Sequence, residues 1–131
     1  MPHQQKLSAE MDRCIQDCLE CYRVCQANAS LHCLELGGEH VAPRHFRLML
    51  DCVEACRSAA AMMLNGSDHA AEHCRMCAKI CLACAESCRK LGDMEDCVSA
   101  CERCAESCER MAAMGGKHPA AAGSVESRPA H

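Results

Sequence analysis

A chain of 131 residues with 14 basic and 18 acidic side chains, net charge −4, is the size of one domain and offers no basic surface to nucleic acid. One Tyr, one Phe and no Trp leave few aromatics for a core, whereas sixteen Cys and nine Met make sulfur a large share of the apolar content. No apolar run approaches the roughly 20 residues that span a bilayer. The opening Met1-Pro2-His3-Gln4-Gln5-Lys6 carries neither an apolar segment nor a twin arginine. The expected location is therefore cytoplasmic, without a membrane partner, where thiols stay reduced.

Residues 1–6 read as a flexible N-terminus. Leu7 to Leu36 reads as one long helix with Ser8 as N-cap, uninterrupted by Pro or Gly until Gly37-Gly38. Its inward stripe runs Leu7, Met11, Cys14, Cys18, Cys21, Cys25, Asn28, His32, with Cys33 one position off. Pro43 suits the first turn of a second helix, which reaches about Leu64 and carries His45, Met49, Cys52, Cys56, Ala59 and Met63 on one stripe. A second apolar row, Phe46, Leu50 and Val53, widens this face and makes the second helix the candidate subunit contact.

Asn65-Gly66 is a turn, and Ser67 or Asp68 is the expected N-cap of a third helix bearing Cys74, Cys77, Cys81, Cys84 and Cys88. Gly92 stops it. Asp93 is expected to cap a fourth helix bearing Met94, Cys97, Cys101, Cys104, Cys108 and Met111. The segment Cys84-Ala85-Glu86-Ser87-Cys88 recurs as Cys104-Ala105-Glu106-Ser107-Cys108, an internal repeat. From Gly115 the apolar period ends, so 115–131 reads as a flexible tail behind a domain at 7–114. Four helices with short loops predict an all-α fold, an antiparallel up-down-up-down four-helix bundle with a cysteine-lined core.

Steps of three and four residues give the thiols the period of a core-facing seam, about 3.5 residues. One or two Cys in a bundle pack as small hydrophobes. Sixteen of them in place of larger aliphatic residues forgo about 0.8 kcal/mol for every CH₂ not buried. Disulfides within a helix are disfavoured, because Cβ atoms at i and i+4 stand about 5–6 Å apart and a bridge wants roughly 3.5–4.5 Å.

Bridges between helices stay open in geometry, though a reducing compartment disfavours them, and metal is the stronger reading. Thiolates at i and i+4 share a face, and soft sulfur ligands select Cu(I), zinc or iron–sulfur clusters. Zinc favours closed quartets, which predicts isolated groups of four rather than a continuous ladder. Ferredoxin-type clusters use a Cys-Pro ending, and no Cys here precedes Pro. Cu(I) suits a ladder, and one thiolate neutralises one Cu(I), which keeps a dry core near zero charge. The expected cofactor is multiple Cu(I), roughly one per cysteine. An enzyme is not expected, since thiol catalysis needs one or two activated cysteines; a zinc-dependent or iron–sulfur structural or redox module is the alternative.

The ladders Cys14-x₃-Cys18-x₂-Cys21-x₃-Cys25, Cys52-x₃-Cys56, Cys74–Cys88 and Cys97–Cys108 give the chain a resemblance to the cysteine-rich four-helix-bundle copper storage proteins, in the branch without a twin-arginine leader. It spans about Leu7 to Met114. The resemblance implies Cu(I) held inside the bundle, ligation by all sixteen cysteines, Cys33 included, a homotetramer, and copper storage or sequestration. A copper chaperone is a further candidate partner.

At one end of such a bundle His32, Cys33, His45, Met49, Leu91 and Met94 meet; at the other, Met11, Met63, His69, His73, Met111 and Met114. His32, His45 and Met49 are taken as metal ligands at the mouth that admits copper. Ile15, Leu19, Val24, Leu48 and Ile80 are expected to support the helices without metal. His3, His118 and His131 are read as solvated.

Overall fold

A computed structural model describes residues 7–117. Helix α1 (Ala9–Ala27) begins where the Ser8 hydroxyl accepts the Met11 N–H at 3.0 Å. It runs into a π-helical turn, Asn28–Cys33, and a last α-turn, Leu34–Leu36. Gly37, at φ 69°, breaks the helix and feeds a 3-10 turn, Gly38–Val41. Helix α2 (Pro43–Leu64) starts with its proline in the first turn, where the missing N–H costs nothing. Helices α3 (Ala70–Leu91) and α4 (Glu95–Lys117) complete an all-α architecture among the described residues.

Several boundaries differ from the sequence-based expectation. Leu7 lies ahead of the helix and is exposed rather than on the inward stripe. Neither Ser67 nor Asp68 caps α3: the Ser67 hydroxyl accepts the His69 N–H at 3.0 Å within the turn, and the helix begins at Ala70. Asp93 does not cap α4 either. It sits at φ 61°, a left-handed conformation that Asp tolerates better than most residues, and its carboxylate faces the α1 end instead. Gly115 is not the start of a tail, because α4 continues to Lys117. A Cβ built on Gly115 would lie 2.4 Å from the Ala71 Cβ, so α3 and α4 meet there at a distance only glycine permits. The expectations for 1–6 and 118–131, with His3, His118 and His131, lie outside the described residues.

The π turn changes which residues face inward. Asn28 Nδ2 donates to the Val24 carbonyl at 3.0 Å, and the Ser30 hydroxyl donates to the Gln26 carbonyl at 3.0 Å. These bonds add to the regular ladder, since the Asn28 N–H still reaches the Val24 carbonyl; beyond them the turn is wider, and the Leu34 N–H bonds back five residues to the Ala29 carbonyl. The wider turn brings Ala29 and Cys33 into phase with Cys25, all fully buried, while Asn28 and His32 rotate to half-exposed positions. A uniform 3.6-residue period had placed them the other way round.

Sulfur contacts fix the helix directions. Cys14 and Cys18 approach Cys108, while Cys25 approaches Cys101 and Cys97, so α1 and α4 run in opposite senses. Cys56 meets Cys77 and Met49 meets Cys88, which sets α2 against α3. Each neighbouring pair is antiparallel, and the four inward stripes converge on one axis. Between the cysteines, small residues such as Ala55, Ala59, Ala78, Ala85 and Ala105 are buried and let the backbones approach closely. Ile15, Val24 and Val53 join the core; Leu48, Ile80 and Phe46 pack partly against it. Leu19, expected on a supporting flank, is 42% exposed, and Leu50 faces outward as well.

Candidate metal centre

All sixteen cysteines are at 0% exposure and none is disulfide-bonded. Cross-helix Sγ···Sγ distances are 3.6–3.9 Å, among them Cys18–Cys104, Cys25–Cys101, Cys56–Cys81 and Cys52–Cys101. This is close enough for two sulfurs to share an ion and far outside the roughly 2.05 Å of a disulfide. A tetrahedral ion with bonds near 2.3 Å separates its sulfurs by roughly 3.8 Å, so spacing alone admits zinc. The topology of the network favours shared over closed groups. Sulfurs fall into the quartets Cys18-Cys77-Cys104-Cys108, Cys21-Cys25-Cys52-Cys101 and Cys21-Cys56-Cys81-Cys104, with a trio Cys14-Cys74-Cys108 at the end. Cys21, Cys104 and Cys108 each belong to two groups. Two of the quartets share no residue, but the third overlaps both and the trio overlaps the first, so the four groups cannot all close separately.

Burial opposes ionisation of these thiols throughout, as shown by Cys33, pushed up to about 11 first by burial and then by the adjacent Cys88. Deeper in, sulfur–sulfur hydrogen bonds divide neighbours. Cys56 is held up, chiefly through its bond with Cys104, and Cys21 is held down, chiefly through its bond with Cys101. A cation entering this core displaces protons from the thiols that bind it.

At the end formed by the last turns of α1 and α3, pure thiol packing gives way to mixed donors. The Met49 Sδ lies 3.7 Å from Cys84 Sγ and 3.6 Å from Cys88 Sγ. His45 is buried; its Nε2 is 3.9 Å from Cys33 Sγ, and its Nδ1 is 2.7 Å from the Ser87 hydroxyl. Ser87 thereby orients the ring with one nitrogen toward Cys33, as outer partners do for metal-binding imidazoles. Burial lowers the His45 pKa, which favours the neutral, ligating form. An open cavity of about 260 Å³ lies at this end between α3 and α4, lined by Arg89, Asp93, Met94 and Glu102 and bordering the fully buried Cys88.

The structure joins Cys33, His45 and Met49 to the thiol ladder but not His32. That side chain is half-buried and turns toward His40 and Asp93. Met94 and Leu91 lie at this end as expected, Met94 fully buried. At the opposite end Met63 and Met111 are buried, Met11 is partly buried, and Met114 and His69 are exposed. His73 donates to or accepts from the Ser58 hydroxyl at 2.9 Å. Ser87 and His40 escaped the sequence reading. Ser87 had left its mark only as the residue before Cys88 in the repeat, and His40 sits in a glycine-led turn where no periodicity assigns a face.

Comparison with known proteins agrees with this geometry. Residues 7–113 match the family model for the copper storage protein. The chain is similar to the Nmul_A1745 protein from Nitrosospira multiformis, with 48% identity, TM-score 0.79, and coverage of 80% of this chain and 96% of that one. It is also similar to two structures of copper storage protein Csp3 from Bacillus subtilis. The Cu(I)-bound form gives 33% identity and TM-score 0.72 over 79% and 98% of the two chains. The apo form gives 34% identity and TM-score 0.64 over 77% and 97%. A buried, shared-corner thiol network inside a four-helix bundle, matched over 7–113, places the chain in the copper storage protein family.

Proposed function

We propose that this protein stores copper as Cu(I), at roughly one ion per cysteine, on thiolates lining the interior of its bundle. The single observation that carries the reading is the sharing of Cys21, Cys104 and Cys108 between neighbouring sulfur groups. Cu(I) needs only two or three soft ligands, so a bridged ladder accommodates ions in series. Each Cu(I) that replaces a thiol proton leaves the dry core without net charge, whereas a divalent ion in every group would not. The matching Csp3 structure is Cu(I)-bound, in line with this assignment.

Copper enters, in this reading, at the end bearing Cys33, His45 and Met49. An imidazole and a thioether bind Cu(I) more weakly than paired thiolates and so pass it inward instead of retaining it. The open cavity at this end, beside Cys88, supports that choice. The role is storage or sequestration without catalysis. A homotetramer is proposed, with the exposed Leu50 and half-buried Phe46 of α2 at a subunit contact. A cytoplasmic location and delivery by a copper chaperone belong to the same proposal; no helix among the described residues is long and apolar enough to cross a membrane.

Anaerobic titration of the reduced, metal-free protein with Cu(I) against a chromophoric chelator tests the capacity. Saturation near sixteen ions per chain is expected; saturation at four or fewer would instead mark closed quartets of the zinc type.

A further inference from the structure

Outside the thiol core, three connecting segments bring a second donor set together. The π turn supplies His32, the 3-10 turn supplies His40, and the α3–α4 loop supplies Asp93. We propose that His32, His40 and Asp93 bind one divalent cation of zinc(II) or copper(II) character, separate from the Cu(I) ladder and at the rim of its mixed-donor end.

The three donor groups stand near metal-binding separation. His32 Nε2 lies 3.5 Å and His40 Nε2 lies 4.0 Å from Asp93 Oδ2, and the ligand atoms of the three all fall within 4.8 Å of one another. A tetrahedral ion with bonds of 2.0–2.1 Å holds its ligands roughly 3.4 Å apart, so side-chain movements of about 1 Å or less per ligand close the shell. The two rings meet edge-on at 88°, with centroids 5.3 Å apart, so they are not stacked on each other.

Both Nε2 atoms are shut away from solvent and have no hydrogen-bond partner among the described residues. Buried polar atoms are nearly always paired, and two orphans pointing at one carboxylate call for a shared partner. Their separations from Asp93 are too long for direct hydrogen bonds of ordinary strength.

Donor chemistry sets the class of ion. Two imidazoles and a carboxylate, without sulfur, suit zinc(II) or copper(II), whereas Cu(I) is drawn to the thiols inside. Three protein ligands leave a fourth position for water. Asp93 stands at φ 61° between Gly92 and Met94 with its carboxylate aimed across the bundle end. A bound ion would tie the end of α1, the α1–α2 connection and the α3–α4 loop into one rigid unit beside the open cavity at this end, which Asp93 also lines.

The test uses protein already saturated with Cu(I), so that the thiols are occupied, and titrates it anaerobically with cobalt(II) as a spectroscopic probe for the site. The expected result is one equivalent of cobalt per chain, with visible ligand-field bands, no near-ultraviolet sulfur-to-cobalt charge transfer, and displacement by zinc(II). His40→Ala and Asp93→Asn should each weaken cobalt binding by at least about tenfold, while helicity and Cu(I) capacity stay unchanged. Absence of uptake, a sulfur band, or an affinity that either substitution leaves unaltered overturns the proposal. Because the cobalt and Cu(I) readouts are separate, the outcome is independent of the storage capacity.

Discussion

Cys104 is the position where shared and closed sulfur groups make the most different forecasts. Its Sγ lies 3.6 Å from Cys18 and 3.7 Å from Cys56, and it is a corner of two of the three quartets. Cys104→Ala removes that sulfur without introducing a polar atom, so a destabilisation of about 1 kcal/mol is expected for the metal-free protein. If each thiol counts for one Cu(I), capacity falls by one ion in sixteen. If ions sit in closed quartets, two of three quartets are broken at once and only Cys21-Cys25-Cys52-Cys101 stays complete. Cys14→Ala is the control, since Cys14 belongs only to the terminal trio. Both variants should lose the same single ion, measured by anaerobic Cu(I) titration and by native mass spectrometry of the loaded protein. A loss of half the capacity or more in Cys104→Ala, with little change in Cys14→Ala, would refute the equal-thiol network.

The mouth is tested by rate rather than capacity. Met49→Leu keeps the side-chain volume, should cost less than about 1.5 kcal/mol, and should slow Cu(I) loading in stopped-flow while leaving the end point intact. Met63→Leu, at the far end, should load at the wild-type rate; the reverse pattern moves the entrance to that end. Gly115→Ala should destabilise the protein by about 1–3 kcal/mol in thermal or urea unfolding, because the clash with Ala71 outweighs the gain in helix propensity of about 1 kcal/mol. An unchanged or raised midpoint would mean the end of α4 moves aside freely.

Protonation of His45 gives a pH signature in the metal-free state. Burial holds this imidazole below its usual value of 6.5, so the unfolded chain takes up the proton first. The contribution to stability is complete above that value and is lost as pH falls through the lower native pKa. The stability difference between the wild type and His45→Leu should therefore shrink on acidification and be flat above about pH 7.5. A difference independent of pH would mean the ring is not held neutral by its surroundings.

The helical bundle, its approximate boundaries and the sulfur-lined interior were legible in the sequence because they depend on periodicity. Cysteines spaced at three and four residues must share a helix face, and Gly37, Pro43, Asn65-Gly66 and Gly92 punctuate the chain through backbone preferences that act locally. The small residues beside the cysteines only reinforce the inference. What the ladder could not reveal was how sulfurs from different helices group. Whether Cys104 belongs to one quartet or two is a property of four helices in register, and that register is set by packing across the bundle.

The ends depended on tertiary structure most of all. A helical wheel assumes a constant turn, whereas the π turn Asn28–Cys33 exchanges the places of His32 and Cys33. Asp93 looked like a helix cap by its position alone, yet a left-handed backbone turns it toward two histidines that lie 53 and 61 residues earlier in the chain. His40 had no periodic neighbours to assign it a direction. The chemistry of the interior thus followed from the sequence, since helix geometry alone gathers the thiols of each strand of the ladder. Which side chains close the ends was decided only by the folded connections, where no repeating geometry constrains a residue until its partners are in place.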